Sequence, residues 1–173
     1  REFGDYVGHH GLVMENGLPS DTHLRIGRSS GNVYDLVAHR KLEADREGEG
    51  IGIGCHLGPC EGQLLMITEQ EIGGIEIQAP ISARPGTTIT IATTVVDVDG
   101  AALDAIVPVR VELLDPHGRA AEFSGHYGAR DGRVEISAET AANDVPGLWR
   151  IHVEELASGR AAEAYVRVEG VAS

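Results

Sequence analysis

Long apolar runs are missing from this 173-residue chain. No stretch approaches the roughly 20 apolar residues that a membrane-spanning helix needs, and no signal-peptide pattern is visible, so membrane insertion is not expected. Lysine is almost absent: Lys41 stands alone beside 13 arginines. Bases are outnumbered by acids, 14 to 27, and the formal charge of −13 is spread through both halves. Such a surface repels phosphate backbones, which argues against nucleic acid as a partner. Aromatic residues are scarce too, with one Trp, four Tyr and two Phe. Any core must therefore rest on Val, Ile, Leu and Ala, and a broad aromatic platform for sugars is thinly supplied. No long helix-period pattern appears. The chain begins at Arg1 instead of Met, which reads as a processed product or a piece of a longer protein.

What is present is period-two alternation, clearest between Asn143 and Glu169. Leu148, Arg150, His152 and Glu154 alternate with Trp149, Ile151 and Val153. After the turn residues Ala157-Ser158-Gly159, Ala162, Ala164, Val166 and Val168 alternate with Glu163, Tyr165, Arg167 and Glu169. Successive side chains of a strand point to opposite faces, so this is a hairpin with one apolar and one wet side. Its tryptophan falls on the apolar side and is expected in the core.

Similar strands are expected along the rest of the chain. Before Glu71 they are Tyr6–Met14, Thr22–Ile26, Val33–Ala38, Ile51–Leu57 and Gln63–Thr68. The charged stretch Arg40–Gly50 reads as a solvated loop or a short helical turn. From Ile75 the candidates are Ile75–Ala79, Thr87–Val98, Val107–Leu114, Ala121–His126, Arg133–Ala138, Leu148–Glu154 and Ala162–Glu169. A parity change near Val95 predicts a β-bulge there. Gly48, Gly50, Gly52 and Gly54 leave one strand face bare, which calls for a backbone or ring across it, or for an exposed edge. The fold class is thus all-β, with two consecutive antiparallel β-sandwich domains. Residues 1–72 form a small or incomplete sandwich and 73–173 an immunoglobulin-like one.

Two resemblances accompany this reading. Ala79-Pro80, Arg84-Pro85-Gly86, the run Val109–Gly118 and Asn143–Trp149 resemble the macroglobulin-type, immunoglobulin-like domains of bacterial alpha-2-macroglobulin relatives. Val33-Tyr34-Asp35-Leu36, the charged loop, Ile51–Leu57, Gly58-Pro59 and Leu64-Leu65-Met66 resemble the all-β domain after the catalytic barrel in beta-galactosidase-like glycoside hydrolases. The resemblances imply export to the cell surface or beyond. They bring no catalytic residues, because the barrel carboxylates and the thioester Cys–Gln motif are both missing, and fold alone does not carry function.

Local chemistry is sparse. Cys55-His56-Leu57-Gly58-Pro59-Cys60 admits three readings: a disulfide across the Gly-Pro turn, two free thiols with Cys55 in the core, or a metal site with His56. The disulfide between Cys55 and Cys60 is the one expected in an exported protein. Asp97, Asp99 and Asp104 flank a loop and are weak calcium candidates, but the Asp-x-Asp-x-Asp-Gly order of a strong loop is incomplete and a hairpin turn at Asp99-Gly100 explains the same residues more simply. His9 and His10, near Asp5 and Tyr6, point to opposite strand faces and cannot share one ion without a bulge. No serine has a nucleophile-elbow frame, and Glu154-Glu155 face opposite ways. No cofactor is implied. The expectation is a non-catalytic extracellular structural or protein-interaction module of a larger secreted or surface protein. Its partners would be other protein chains, including copies of itself. One alternative is a filament or surface-layer subunit whose thin first sandwich is completed by strand addition. Another is a polysaccharide-binding accessory domain of a glycoside hydrolase.

Overall fold

A computed structural model describes residues 18–59 and 61–170. The strand expected over Tyr6–Met14, with His9 and His10, and the second cysteine, Cys60, lie outside the described residues. The chain divides into two compact units, the first ending at Ile67 and the second beginning at Thr68. Every element among the described residues is a β-strand, as the alternation requires.

Six strands of the first unit are described: β1 (Ser20–Ile26), β2 (Asn32–Asp35), β3 (Arg40–Leu42), β4 (Asp45–Glu47), β5 (Gly50–Leu57) and β6 (Leu65–Thr68). They form two three-stranded sheets, β1-β5-β4 and β3-β2-β6. Leu24, Ile26, Ile51 and Ile53 of the one pack against Val33, Leu42, Leu65 and Ile67 of the other. The result is a thin sandwich whose aliphatic core matches the composition. Two expectations need correction here. Arg40–Gly50 is not a loop, because β3 pairs with β2 and β4 with β5 while most of its charged residues stay exposed to water. Nor does the glycine-rich strand lie at an edge, since β5 is paired on both sides among the described residues. Arg25 of the neighbouring strand covers part of its bare side. A Cβ at Gly50 would fall 2.9 Å from the Ile26 carbonyl and 3.2 Å from Arg25 Nε. The bare face accommodates a guanidinium, which glycine alone allows at so close a backbone approach.

The second unit comprises β7 (Ile72–Gln78), β8 (Ser82–Ala83), β9 (Thr88–Asp97), β10 (Val107–Leu114), β11 (Gly125–Ala129), β12 (Arg133–Glu139), β13 (Gly147–Glu155) and β14 (Ala161–Val168). One sheet runs β12-β9-β7 and the other β11-β10-β13-β14-β8. The chain crosses repeatedly between the sheets, and β8 adds in parallel to β14, which gives the immunoglobulin-like arrangement. Ile89, Ile91, Val95, Ile136 and Ala138 of the first sheet and Val109, Val111, Leu113, Ile151, Val153 and Val166 of the second are buried. Alternate residues of each strand supply this core, as period two demands.

The irregularity expected in β9 falls on its partner. Register with β7 shifts between Ile72 and Gly74, so the extra residue is Gly73. A Cβ there would sit 2.1 Å from the Asp97 carbonyl oxygen, a distance no side chain tolerates. Consecutive burial of Val95, Val96 and Asp97 has a second cause: the following loop folds back, with a bridge from Ala102 to Val96. β11 also starts later than the pattern suggests. Ala121–Ser124 forms a turn tied to Leu113 through the Ala121 amide and the Ser124 hydroxyl, and pairing resumes at Gly125.

Candidate interaction face

The outer face of the five-stranded sheet collects the wet side of the hairpin that dominates the sequence. Its register is set at the turn by Glu155, which is fully buried. The Glu155 carboxylate accepts hydrogen bonds from the amides of Ala157 (2.9 Å), Ser158 (2.9 Å) and Arg160 (2.9 Å), and from the Ser158 hydroxyl. A buried carboxylate so fully supplied with donors holds the turn in one shape. Glu154 is thereby fixed opposite Ala161, His152 opposite Glu163, Arg150 opposite Tyr165 and Leu148 opposite Arg167. The other end of β13 is pinned by Trp149, whose indole Nε1 donates to the Val145 carbonyl at 2.9 Å. This corner does for Trp149 what a tyrosine hydroxyl does at the equivalent corner of many immunoglobulin-like domains.

Three side chains converge on Glu163 in consequence. The Tyr165 hydroxyl donates to it at 2.8 Å, Arg150 Nη1 lies at 3.3 Å and His152 Nδ1 at 3.4 Å. The Tyr165 hydrogen bond, with Arg150 assisting, holds the Glu163 carboxyl below its ordinary range, and the same bond pushes the Tyr165 phenol up. On the next strand Arg110 Nη2 meets Glu154 at 2.7 Å across the β10–β13 pair. Beside Arg150, on the side away from the Arg110–Glu154 pair, Leu148 and Tyr165 remain about half exposed, at 50% and 49%. The face thus joins an aromatic ring, an aliphatic side chain and three arginines on paired strands. Arg and Tyr in such surroundings are the residue types that dominate protein–protein contacts.

A cleft of about 520 Å³ opens at the end of the second unit, lined in part by Leu113, Asp115, Arg119, Phe123, Thr140 and Trp149. Most of its polar groups are already engaged within the fold. Asp115 accepts from the His117 and Arg119 amides and from Arg119 Nε. Asp144 caps the Ala141 amide, and the Thr140 hydroxyl donates to the Thr87 carbonyl at 2.7 Å. These are bonds that shape turns, and they leave little to greet a ligand.

The residues singled out from sequence do not come together. Cys55 is half-buried opposite Thr22 on β1, and its expected partner lies outside the described residues. His56 points to the other face of β5, where Nδ1 meets Asp21 Oδ1 at 2.7 Å in an exposed cross-strand pair. Asp97 is buried, and its Oδ1 accepts from the amides of Asp99 and Ala101, both at 2.9 Å. It therefore builds the turn at Asp99-Gly100, while Asp99 and Asp104 are exposed. No group of three His, Cys, Asp or Glu among the described residues is arranged to hold a metal ion. The Glu163 network was not singled out from the sequence. By period its members fall on the wet side of two strands, but only the turn around Ala157-Ser158-Gly159 fixes which of them face each other.

No family model matches the chain, and no curated protein matches it in sequence. Among solved structures, a superoxide reductase (neelaredoxin) from Ignicoccus hospitalis is similar over 56% of this chain and 80% of its own, with a TM-score of 0.43 and 11% identity. The Yersinia pseudotuberculosis adhesin InvE is similar over 86% of this chain and 49% of its own, with a TM-score of 0.43 and 9% identity. A beta-glucosidase from Listeria innocua is similar over 67% of this chain and 18% of its own, with a TM-score of 0.39 and 15% identity. At these scores the likenesses are consistent with an all-β fold and carry no argument about activity.

Proposed function

We propose that the chain is a non-catalytic structural or protein-interaction module of a larger secreted or surface protein, and that it makes contact through the outer face of β10, β13 and β14. The observation that carries this reading is the pairing of exposed Leu148 and Tyr165 with a network already fixed around Glu163. Side chains held in place before binding lose little freedom on contact, which favours recognition by a rigid sheet. Several carboxyls are held below their ordinary range by the turns and pairs they build. Partial burial opposes the shifts at Asp35 and Asp115. Donors outweigh it at both: Gln63 with the Ala38 and Val37 amides at Asp35, and Arg119 with the His117 amide at Asp115. Glu163 is held low as well, by the Tyr165 hydroxyl and Arg150.

The finer resemblances belong to this proposal: a first unit like the sandwich behind a beta-galactosidase-type barrel, and a second like an alpha-2-macroglobulin domain. Polysaccharide binding is the less favoured reading, because Tyr165 is the one exposed aromatic ring among the described residues. The test is photo-crosslinking. A benzophenone amino acid placed at Tyr165 should form an adduct with a partner protein, while the same group at Thr90, on the outer face of the opposite sheet, should not. Equal yields from both positions, or none from Tyr165, would contradict the assignment.

A further inference from the structure

We infer that this face is self-complementary and pairs with the same face of a second copy about a two-fold axis lying parallel to the sheet and passing over Arg150. The inference rests on the contact-surface reading above and names the partner. Charge is its first support. The chain as a whole carries −13, so two copies repel each other over most approaches. The outer face of β10, β13 and β14 presents Arg110, Arg150 and Arg167 against Glu112, Glu154 and Glu163, three of each, for a net charge of zero. Close approach of two copies there meets no net repulsion between the facing strands.

The arrangement of those charges is the second support. Arg110 is paired with Glu154 and Arg150 with Glu163. Arg167 and Glu112 make no side-chain ion pair among the described residues. They stand on diagonally opposite sides of Arg150. Arg167 is one strand across on β14, beside Leu148, and Glu112 is one strand across on β10, beside His152. A two-fold axis in the plane of contact, set perpendicular to that diagonal, carries Arg167 over Glu112 of the partner subunit, and Glu112 over Arg167 of the partner subunit. The same rotation turns Leu148 towards Leu114 of the partner subunit, so the exposed aliphatic side chain meets a half-buried one. Each Arg150 lies at the axis with its charge already balanced by Glu163. An isologous contact of this kind satisfies both orphan charges twice over and closes on itself. A patch three strands wide falls short of the roughly 800 Å² per partner of a standard interface, so the pairing is weak and reversible.

Sedimentation equilibrium of the purified chain tests this through charge reversal. The unmodified chain should show a monomer–dimer equilibrium below about 1 mM. Arg167→Glu and Glu112→Arg should each weaken dimerisation by about tenfold or more, and the two together should restore it, because the pair is re-formed with its charges exchanged. Both substitutions sit on the wet side of paired strands and leave the core intact. A chain that stays monomeric up to about 1 mM, single reversals without effect, or a double reversal that fails to rescue would each overturn the pairing. A monomeric chain that still cross-links from Tyr165 to a different protein would overturn the two-fold pairing while leaving the contact surface in place.

Discussion

Replacing Trp149 by alanine should lower the stability of the second unit by about 3–5 kcal/mol, as for other buried large aromatics. The indole is 5% exposed and lies in the sheet that also buries Ile151 and Val153. Truncation would open a cavity between two layers built almost wholly from aliphatic side chains, which cannot collapse far without breaking strand pairing. It would also leave the Val145 carbonyl without its 2.9 Å donor. Trp149→Phe separates the two contributions: it keeps most of the packing and should cost about 1 kcal/mol for the lost hydrogen bond, plus a modest packing loss. Urea unfolding followed by circular dichroism measures both. A Trp149→Ala midpoint within experimental error of the parent would mean that the corner does not hold β13 in place.

Glu155→Ala should destabilise by about 3 kcal/mol, although it removes no apolar surface of note. Three amides and a hydroxyl donate to this one buried carboxylate, and the Ala157 amide lies in a fully buried bond. Truncation strands these donors where water replaces them poorly. Glu155→Gln should be intermediate, since the amide oxygen still accepts while its NH₂ confronts donors. Hydrogen exchange gives the local signature: faster exchange at Ala157, Ser158 and Arg160 than at Val109 or Val111. Unchanged exchange in the turn would show that Glu155 does not organise it. The consequence for the face is direct, because the Glu155 turn sets Tyr165 opposite Arg150.

The strands of the hairpin are legible because apolar and polar residues alternate without a break from Trp149 to Glu154, and the burial of Trp149, Ile151 and Val153 follows that parity. The same rule was blind at Arg40–Gly50. Strands of three residues are too short to show a period, and their charged side chains look the same on a strand as on a loop. At Ala121–Ser124 the pattern was right for a strand, yet the Ser124 hydroxyl and Ala121 amide bind Leu113 and bend the chain into a turn. Near Val95 the parity change was real, but sequence has no means of saying which of two paired strands carries the extra residue. The contact face was harder still. Each of Arg150, His152, Glu163 and Tyr165 is ordinary in its own strand. Only pairing across the turn makes them neighbours, and pairing depends on a buried Glu155 that looks like one more acid in an acidic chain. Asp97 shows the reverse, an apparent ligand whose lone pairs are taken by the turn it builds.

Hydroxyl-radical footprinting compares the two surfaces of the second unit most directly, with the chain labelled first alone and dilute, then in its native assembly. Leu148 and Tyr165 should lose labelling on assembly, while Phe123, which lines the end cleft, should keep it. Protection at Phe123 with Tyr165 unchanged would contradict the account and move the contact from the sheet face to the cleft.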